Sequence, residues 1–176
     1  MDDIIAKYLD DYINLLTLLP ITPIRDAVNL LKKTKGMVYV CGNGGSFAMA
    51  SHFASDLTKL GFIAIRLPVT VEELTAVAND TGYENIFADY FMKYFKKKDI
   101  LICISSSGNS PNIVKVVECA KANNIPIIGI SGFDGGRLNK LADIRICIQT
   151  KEGEYGLAEG IHSVIHHTII ECLKSS

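Results

Sequence analysis

The chain carries almost no net charge. Its 176 residues hold 18 basic and 19 acidic side chains, a formal charge of −1, so no general electrostatic pull toward nucleic acid or an anionic membrane is expected. No apolar run approaches the length that spans a bilayer. The start, Met1-Asp2-Asp3-Ile4-Ile5, is acidic and lacks the basic region that opens a secretion signal. The five cysteines (Cys41, Cys103, Cys119, Cys147 and Cys172) are scattered without paired spacing. That removes a disulfide framework and leaves them as small buried hydrophobes. Internal repeats and low-complexity linkers are absent, and no Gly-Lys-Ser/Thr sequence marks a nucleotide P-loop. These absences predict one soluble, reduced, cytoplasmic domain over 1–176, with a helical extension at about 1–34.

What is present is globular in character: 48% hydrophobic and 21% charged residues, in a chain long enough for a substantial core. Residues 2–18 carry apolar side chains at helical spacing over a wide face, from Ile4 and Ile5 to Leu15 and Leu16. A helix that apolar is expected to pack against a partner subunit. A second helix follows at 23–34, with Pro23 near its first turn. Short apolar runs at 37–41, 62–66, 100–104, 125–131 and 144–148 read as buried strands. Helical patterns fall between them, at 47–59, 71–78, 83–95, 112–122 and 138–142, with a last one at 156–173. Lys96-Lys97-Lys98 complements a helix C-terminus and reads as a solvated end, not a binding patch. Alternating strands and helices predict an α/β fold of three layers, α/β/α, with a five-stranded parallel sheet.

Two strand–loop–helix junctions carry the chemistry. Ser105-Ser106-Ser107-Gly108-Asn109-Ser110-Pro111 leads from a strand into a helix start. Backbone N–H groups and the positive end of the helix dipole converge at such a place, which suits an anion. Hydroxyls beside them donate to phosphate oxygens without adding charge. The bland alternative is a polar turn in which Ser110 only caps the helix. The second junction is Gly42-Asn43-Gly44-Gly45-Ser46, whose glycines let the backbone approach a ligand. Both lie at C-terminal strand ends, where open parallel sheets bind ligands. His52 and Asp56, at i and i+4, share one helix face and make half of a plausible metal site, or a surface pair. The last helix offers Glu159, His162, His166 and His167. Ideal geometry puts the first three nearly on one stripe, with His167 about 80° from Glu159.

With Asn79-Asp80 and Gly129-Ile130-Ser131-Gly132-Phe133-Asp134-Gly135-Gly136, these segments resemble the sugar-isomerase (SIS) domain, which is flavodoxin-like, and within it the phosphoheptose isomerases. The resemblance runs from about Met37 to the C-terminus. It implies phosphate binding by Ser105, Ser106, Ser107 and Ser110. It assigns sugar contacts to Asn43, Gly44, Ser46, Asn79 and Asp80. Metal positions fall on His52, Asp56, Glu159 and His167, with zinc as the expected ion, and His162 and His166 are left to polar packing. Asp56 and His167 become the acid–base pair. The implied assembly is a homotetramer with the metal pocket between subunits.

The implied reaction is an aldose–ketose isomerisation, sedoheptulose 7-phosphate to D-glycero-D-manno-heptose 7-phosphate, of use in lipopolysaccharide or capsule heptose synthesis. A base removes a proton alpha to the carbonyl, and an acid reprotonates the enediol. Four departures from the family pattern stand out. Asp56 replaces a glutamate, Glu159 a glutamine and Met49 an aspartate, and Lys59-Leu60-Gly61 is shorter than usual. Two ionised carboxylates on one ion would weaken its Lewis acidity, and Asp56 cannot freely be both tight ligand and base. The competing readings are a non-catalytic adaptor, like the replication-initiator-associating SIS protein, and a sugar-phosphate sensor.

Overall fold

A computed structural model describes residues 1–175. Its centre is one all-parallel sheet of β1 (Val38–Gly42), β2 (Ala64–Arg66), β3 (Ile100–Ser105), β4 (Ile127–Ser131) and β5 (Ile144–Cys147), in the order β2-β1-β3-β4-β5. This is the expected three-layer α/β/α arrangement. β1 and β3 are buried along their whole length, as strands covered on both faces must be. Alternation along each strand splits the core in two. Val38, Val40, Ile100, Ile102 and Ile128 face one cluster, shared with α2 (Ile21–Lys33), α3 (Gly45–Lys59) and α8 (Tyr155–Lys174). Tyr39, Cys41, Leu101, Cys103 and Ile127 face the other. That second cluster is closed by α5 (Ala88–Tyr94), α6 (Pro111–Ala122) and α7 (Gly136–Leu141).

The helix expected at 83–95 is corrected to two pieces, a 3-10 turn at Tyr83–Asn85 and then α5. Ile86, Phe87 and Phe91 all enter the same core cluster, so the apolar period runs unbroken across a break in the backbone. α4 (Val71–Asp80) starts with a capping box, in which Thr70 and Glu73 satisfy each other's backbone N–H.

The first helix, α1 (Asp2–Thr17), has no buried residue. Its inner side lies on α8, where Gly160 leaves room for the Tyr12 ring; a Cβ there would collide with it. Its outer side bares Ile4, Leu9 and Ile13, which are 74%, 55% and 58% exposed.

Candidate active site

The two ligand loops are built against each other. Asn43, after β1, and Asn112, in the first turn of α6, exchange amide hydrogen bonds of 2.9 Å in both directions. The Tyr83 hydroxyl donates to Asn43 Oδ1 at 3.3 Å. The serine loop is held from inside and from the side. Ser105 Oγ accepts from the Gly108 N–H at 3.1 Å, and Ser107 Oγ from the Asn109 N–H at 3.2 Å. Gly108 adopts φ +64°, and a Cβ there would strike the Gly135 carbonyl. The Gly108 carbonyl accepts from the Leu138 N–H at 2.9 Å, and Asn109 Oδ1 from the Arg137 N–H at 3.0 Å.

The loop therefore interlocks with the Gly132–Gly136 turn, and its shape is set before any ligand arrives. Ser110 occupies the N-cap position of α6, yet its side chain makes no capping bond. Its hydroxyl is thus not consumed by helix capping. The Ser106 hydroxyl is buried without a partner. A cavity of about 490 Å³ opens beside the loop, lined by Ser107, Asn109, Phe133, Asp134, Gln149 and Thr150 among others.

α3 and α8 build the second constellation. Asp56 Oδ2 lies 3.2 Å from His52 Nε2 and 3.1 Å from His166 Nε2, while Asp56 Oδ1 accepts from Lys59 Nζ at 3.0 Å. The His167 ring stacks on His166 at 4.3 Å and meets His52 edge-on at 5.1 Å. One donor atom each from His52, Asp56, His166 and His167 fall within 4.8 Å of one another. Burial acts to raise the Asp56 carboxyl, but Lys59, His52 and His166 outweigh it and hold it below its ordinary value. Burial pushes the His166 imidazole down to about 4, aided by His167 and His52 and opposed by Asp56. A carboxylate and a neutral imidazole are the protonation states that bind a divalent cation, and the N and O donors suit zinc. His166 Nδ1 is buried and unpartnered, so among the described residues the ring's hydrogen-bond partner is Asp56, itself a member of the cluster. The four residues fit a metal ion.

The structure does not bring every expected residue here. Glu159, placed at the metal by the sequence reading, sits seven residues before His166, about 10 Å along α8. Its carboxylate lies against Gly45, where a Cβ would collide with it, and it makes no hydrogen bond or ion pair among the described residues. His166, set aside for packing, takes a place in the cluster instead. His162 stays in the core with no hydrogen bond at either ring nitrogen. Asn79 and Asp80 stand exposed in the last turn of α4, with the Asn79 amide donating to Asp80 Oδ1 at 2.8 Å. The residue just beyond them that reaches a ligand loop is Tyr83. Tyr83 and Asn112 are the loop residues that sequence reasoning left without a role. Asn112 directly follows the serine motif, whereas nothing in the sequence singles out Tyr83.

The preset hydroxyl loop at the C-terminal strand ends is built to take an anion, and the His/Asp cluster between α3 and α8 to take a divalent cation. Residues 8–132 match the SIS domain family. The phosphoheptose isomerase of Photorhabdus laumondii is 37% identical over 184 aligned positions, covering 98% of this chain and 90% of that protein. The one from Helicobacter pylori strain P12 is 35% identical over 160, covering 86% and 82%. A phosphoheptose isomerase structure from Neisseria gonorrhoeae superposes with a TM-score of 0.91 at 27% identity, covering 99% of both chains. One from Francisella tularensis gives 0.88 at 30% identity, covering 99% of this chain and 98% of that one. The chain belongs to the phosphoheptose isomerase family of SIS-domain proteins.

Proposed function

We propose that this protein is an aldose–ketose isomerase that converts sedoheptulose 7-phosphate to D-glycero-D-manno-heptose 7-phosphate. The observation that carries the reading is the pairing of a preset serine loop with the His52–Asp56–His166–His167 cluster on one scaffold, in a chain similar to named phosphoheptose isomerases over most of its length. An adaptor would need no such cluster, and a sensor would need only the loop.

Ser105, Ser106, Ser107 and Ser110, with the N-terminal end of α6, bind the phosphate dianion. Asn43, Gly44 and Ser46 meet the sugar hydroxyls, with Asn79 and Asp80 as candidate contacts at the rim. His52, Asp56 and His166 would hold a divalent ion, with zinc the ion that these donors suit. That ion would supply a Lewis acid for the carbonyl oxygen. Both Asp56 oxygens are engaged, Oδ2 by two imidazoles and Oδ1 by Lys59. This favours a holding role for Asp56 over that of a free base. His167 is exposed and has no hydrogen bond among the described residues. It is free to take the proton from the carbon beside the carbonyl and return it to the neighbouring carbon.

We also infer a homotetramer, working in the cytoplasm, that completes the site. The apolar outer side of α1 is uncovered in one chain. The cavity beside the serine loop contains none of the four cluster residues. No described helix is long and apolar enough to cross a membrane.

The test is turnover of sedoheptulose 7-phosphate by metal-loaded protein, read by NMR of the product, beside metal content by elemental analysis. His167→Ala should lower turnover by at least about 10²-fold while keeping the metal. Asp56→Asn should lose metal and activity together. A metal-loaded protein inactive on every heptose and pentose phosphate offered would overturn the reading.

A further inference from the structure

The pole of the sheet opposite the ligand loops is built as a cationic trough. Lys32 and Lys33 end α2 and Lys35 follows; Lys96, Lys97 and Lys98 precede β3. These runs are about sixty residues apart in sequence, and the fold clamps them together. The Thr34 hydroxyl donates to the Lys98 carbonyl at 3.1 Å. The buried Asp99 accepts from the Met37 N–H at 2.8 Å and from the Lys96 N–H at 2.7 Å. Gly36 lies so close to the Lys98 carbonyl that any Cβ would collide with it. The one carboxylate at the centre is thus spent on backbone and not on lysine. All six lysines are exposed, and none forms an ion pair among the described residues.

Helix-end compensation accounts for Lys32 and Lys33. It does not account for Lys35, Lys97 and Lys98, which lie outside any helix. In a chain of net charge −1, six unpaired cations on one pole repel each other and leave a local field that a complementary anion relieves.

The space between these lysines is not flat. One cavity of about 340 Å³ is lined by Leu30, Lys33, Lys35, Lys97, Lys98 and Pro126 among others. A second, of about 500 Å³, shares Leu30 and Pro126 with it and continues past Ile125 and Ile144 to Lys121 and Asp143, which pair at 4.0 Å. The two form a trough with an aliphatic floor and a rim that is lined by unpaired lysines in the first cavity and by the Lys121–Asp143 pair in the second. A bare polyanion would leave the floor unused. A membrane would call for protruding apolar side chains, whereas these line a recess. We propose that this trough is a docking surface for an acidic peptide segment of a partner protein, one that alternates carboxylates with aliphatic side chains. Carboxylates meet Lys33, Lys35, Lys97 and Lys98 at the rim, and aliphatic groups cover Leu30, Pro126 and Ile144. The trough shares no lining residue with the serine loop or with the His52–Asp56–His166–His167 cluster, so the inference stands apart from the isomerase reading.

The test is fluorescence anisotropy with a labelled peptide of repeated Glu-Leu-Glu units. Binding should have a dissociation constant on the order of 10 µM. It should weaken about tenfold as sodium chloride rises from about 0.05 M to about 0.3 M. The double variant Lys97→Glu/Lys98→Glu should bind at least about tenfold more weakly while keeping its circular dichroism and sugar-phosphate turnover. A Glu-Ser-Glu peptide of the same length should bind at least about fivefold more weakly, because it leaves the floor bare. Failure of the wild-type protein to bind, or equal binding by the double variant or of the serine peptide, would overturn the proposal. Tighter binding of a single-stranded oligonucleotide or of phosphatidylserine vesicles would do the same, since the lysines would then be reading phosphate.

Discussion

His162 allows a quantitative prediction that depends on packing alone. Its ring is fully buried on α8, and neither nitrogen has a hydrogen-bond partner. Burial pushes its pKa down from 6.5 to about 4; the Ser131 backbone, near the ring but short of a hydrogen bond, pulls weakly the other way. In the unfolded chain the imidazole takes a proton below pH 6.5; in the folded chain it stays neutral until about pH 4. The unfolded state therefore binds more protons throughout that window, and stability falls as pH falls through it. The contribution is complete above pH 6.5, and about 2 kcal/mol of it is lost by pH 5 and about 3 kcal/mol by pH 4.

The perturbation is His162→Leu, which keeps a similar volume and removes both orphan nitrogens. At pH 7 the variant should lie within about 1 kcal/mol of the parent, because no satisfied hydrogen bond is broken. Urea unfolding of chelator-treated proteins at pH 7 and pH 5 separates the two. With a urea slope of about 2 kcal/mol/M, the parent's midpoint should drop about 1 M further than the variant's between those pH values. The acid response of His166 and the carboxylates is common to both proteins and cancels in the difference. Parallel midpoints in parent and variant from pH 7 to pH 5 would refute the claim that His162 is held neutral by burial.

Three further outcomes follow from the loops and the first helix. Gly108→Ala forces a side chain into φ +64° and against the Gly135 carbonyl, and should cost about 2–4 kcal/mol in thermal or chemical unfolding; a loss under about 0.5 kcal/mol would mean that the two loops are not locked. Ser107→Ala and Ser110→Ala should each weaken calorimetric binding of a sugar phosphate about tenfold, the worth of one hydrogen bond to a charged oxygen. Unchanged affinity in both would reduce the serines to turn formers. Light scattering should give a tetramer for the parent and a smaller species for Leu9→Glu/Ile13→Glu, and a parent that is monomeric at micromolar concentration would remove α1 from any interface.

Much of the scaffold was legible because its signals are local. Buried parallel strands such as Ile100–Ile104 announce themselves as short apolar runs, and a hydroxyl-rich or glycine-rich loop directly after such a run must stand at a C-terminal sheet edge. Other features depend on how elements meet in space. The break between Asn85 and Ala88 was hidden because Ile86, Phe87 and Phe91 keep a helical period while serving one core cluster. The contact of Tyr83 with Asn43 spans forty residues and leaves no trace in spacing. The Lys96–Lys98 run reads as a solvated helix end, and only its apposition with the lysines around Gly36 makes one surface.

The cluster itself shows how two departures from the family pattern answer each other. A shorter carboxylate at position 56 and an added negative charge at position 159 suggested a metal neutralised by two carboxylates and a base that was also a ligand. Packing separates those charges. Glu159 sits against Gly45, two turns of α8 away from His166. Asp56 meets His166, a residue of the opposite helix, at 3.1 Å. Asp56 is then the one carboxylate in a donor set otherwise made of imidazoles. A divalent ion held there would keep a net positive charge, and with it the ability to polarise a carbonyl. The shorter reach of aspartate is matched by a histidine that comes to meet it. On the proposed reading the proton-transfer role is left to His167, an exposed member of the group. His166→Ile tests this compensation directly. It should cut zinc affinity at least about tenfold, measured by competition with a chromophoric chelator. Unchanged affinity would remove His166 from the donor set and refute the compensation.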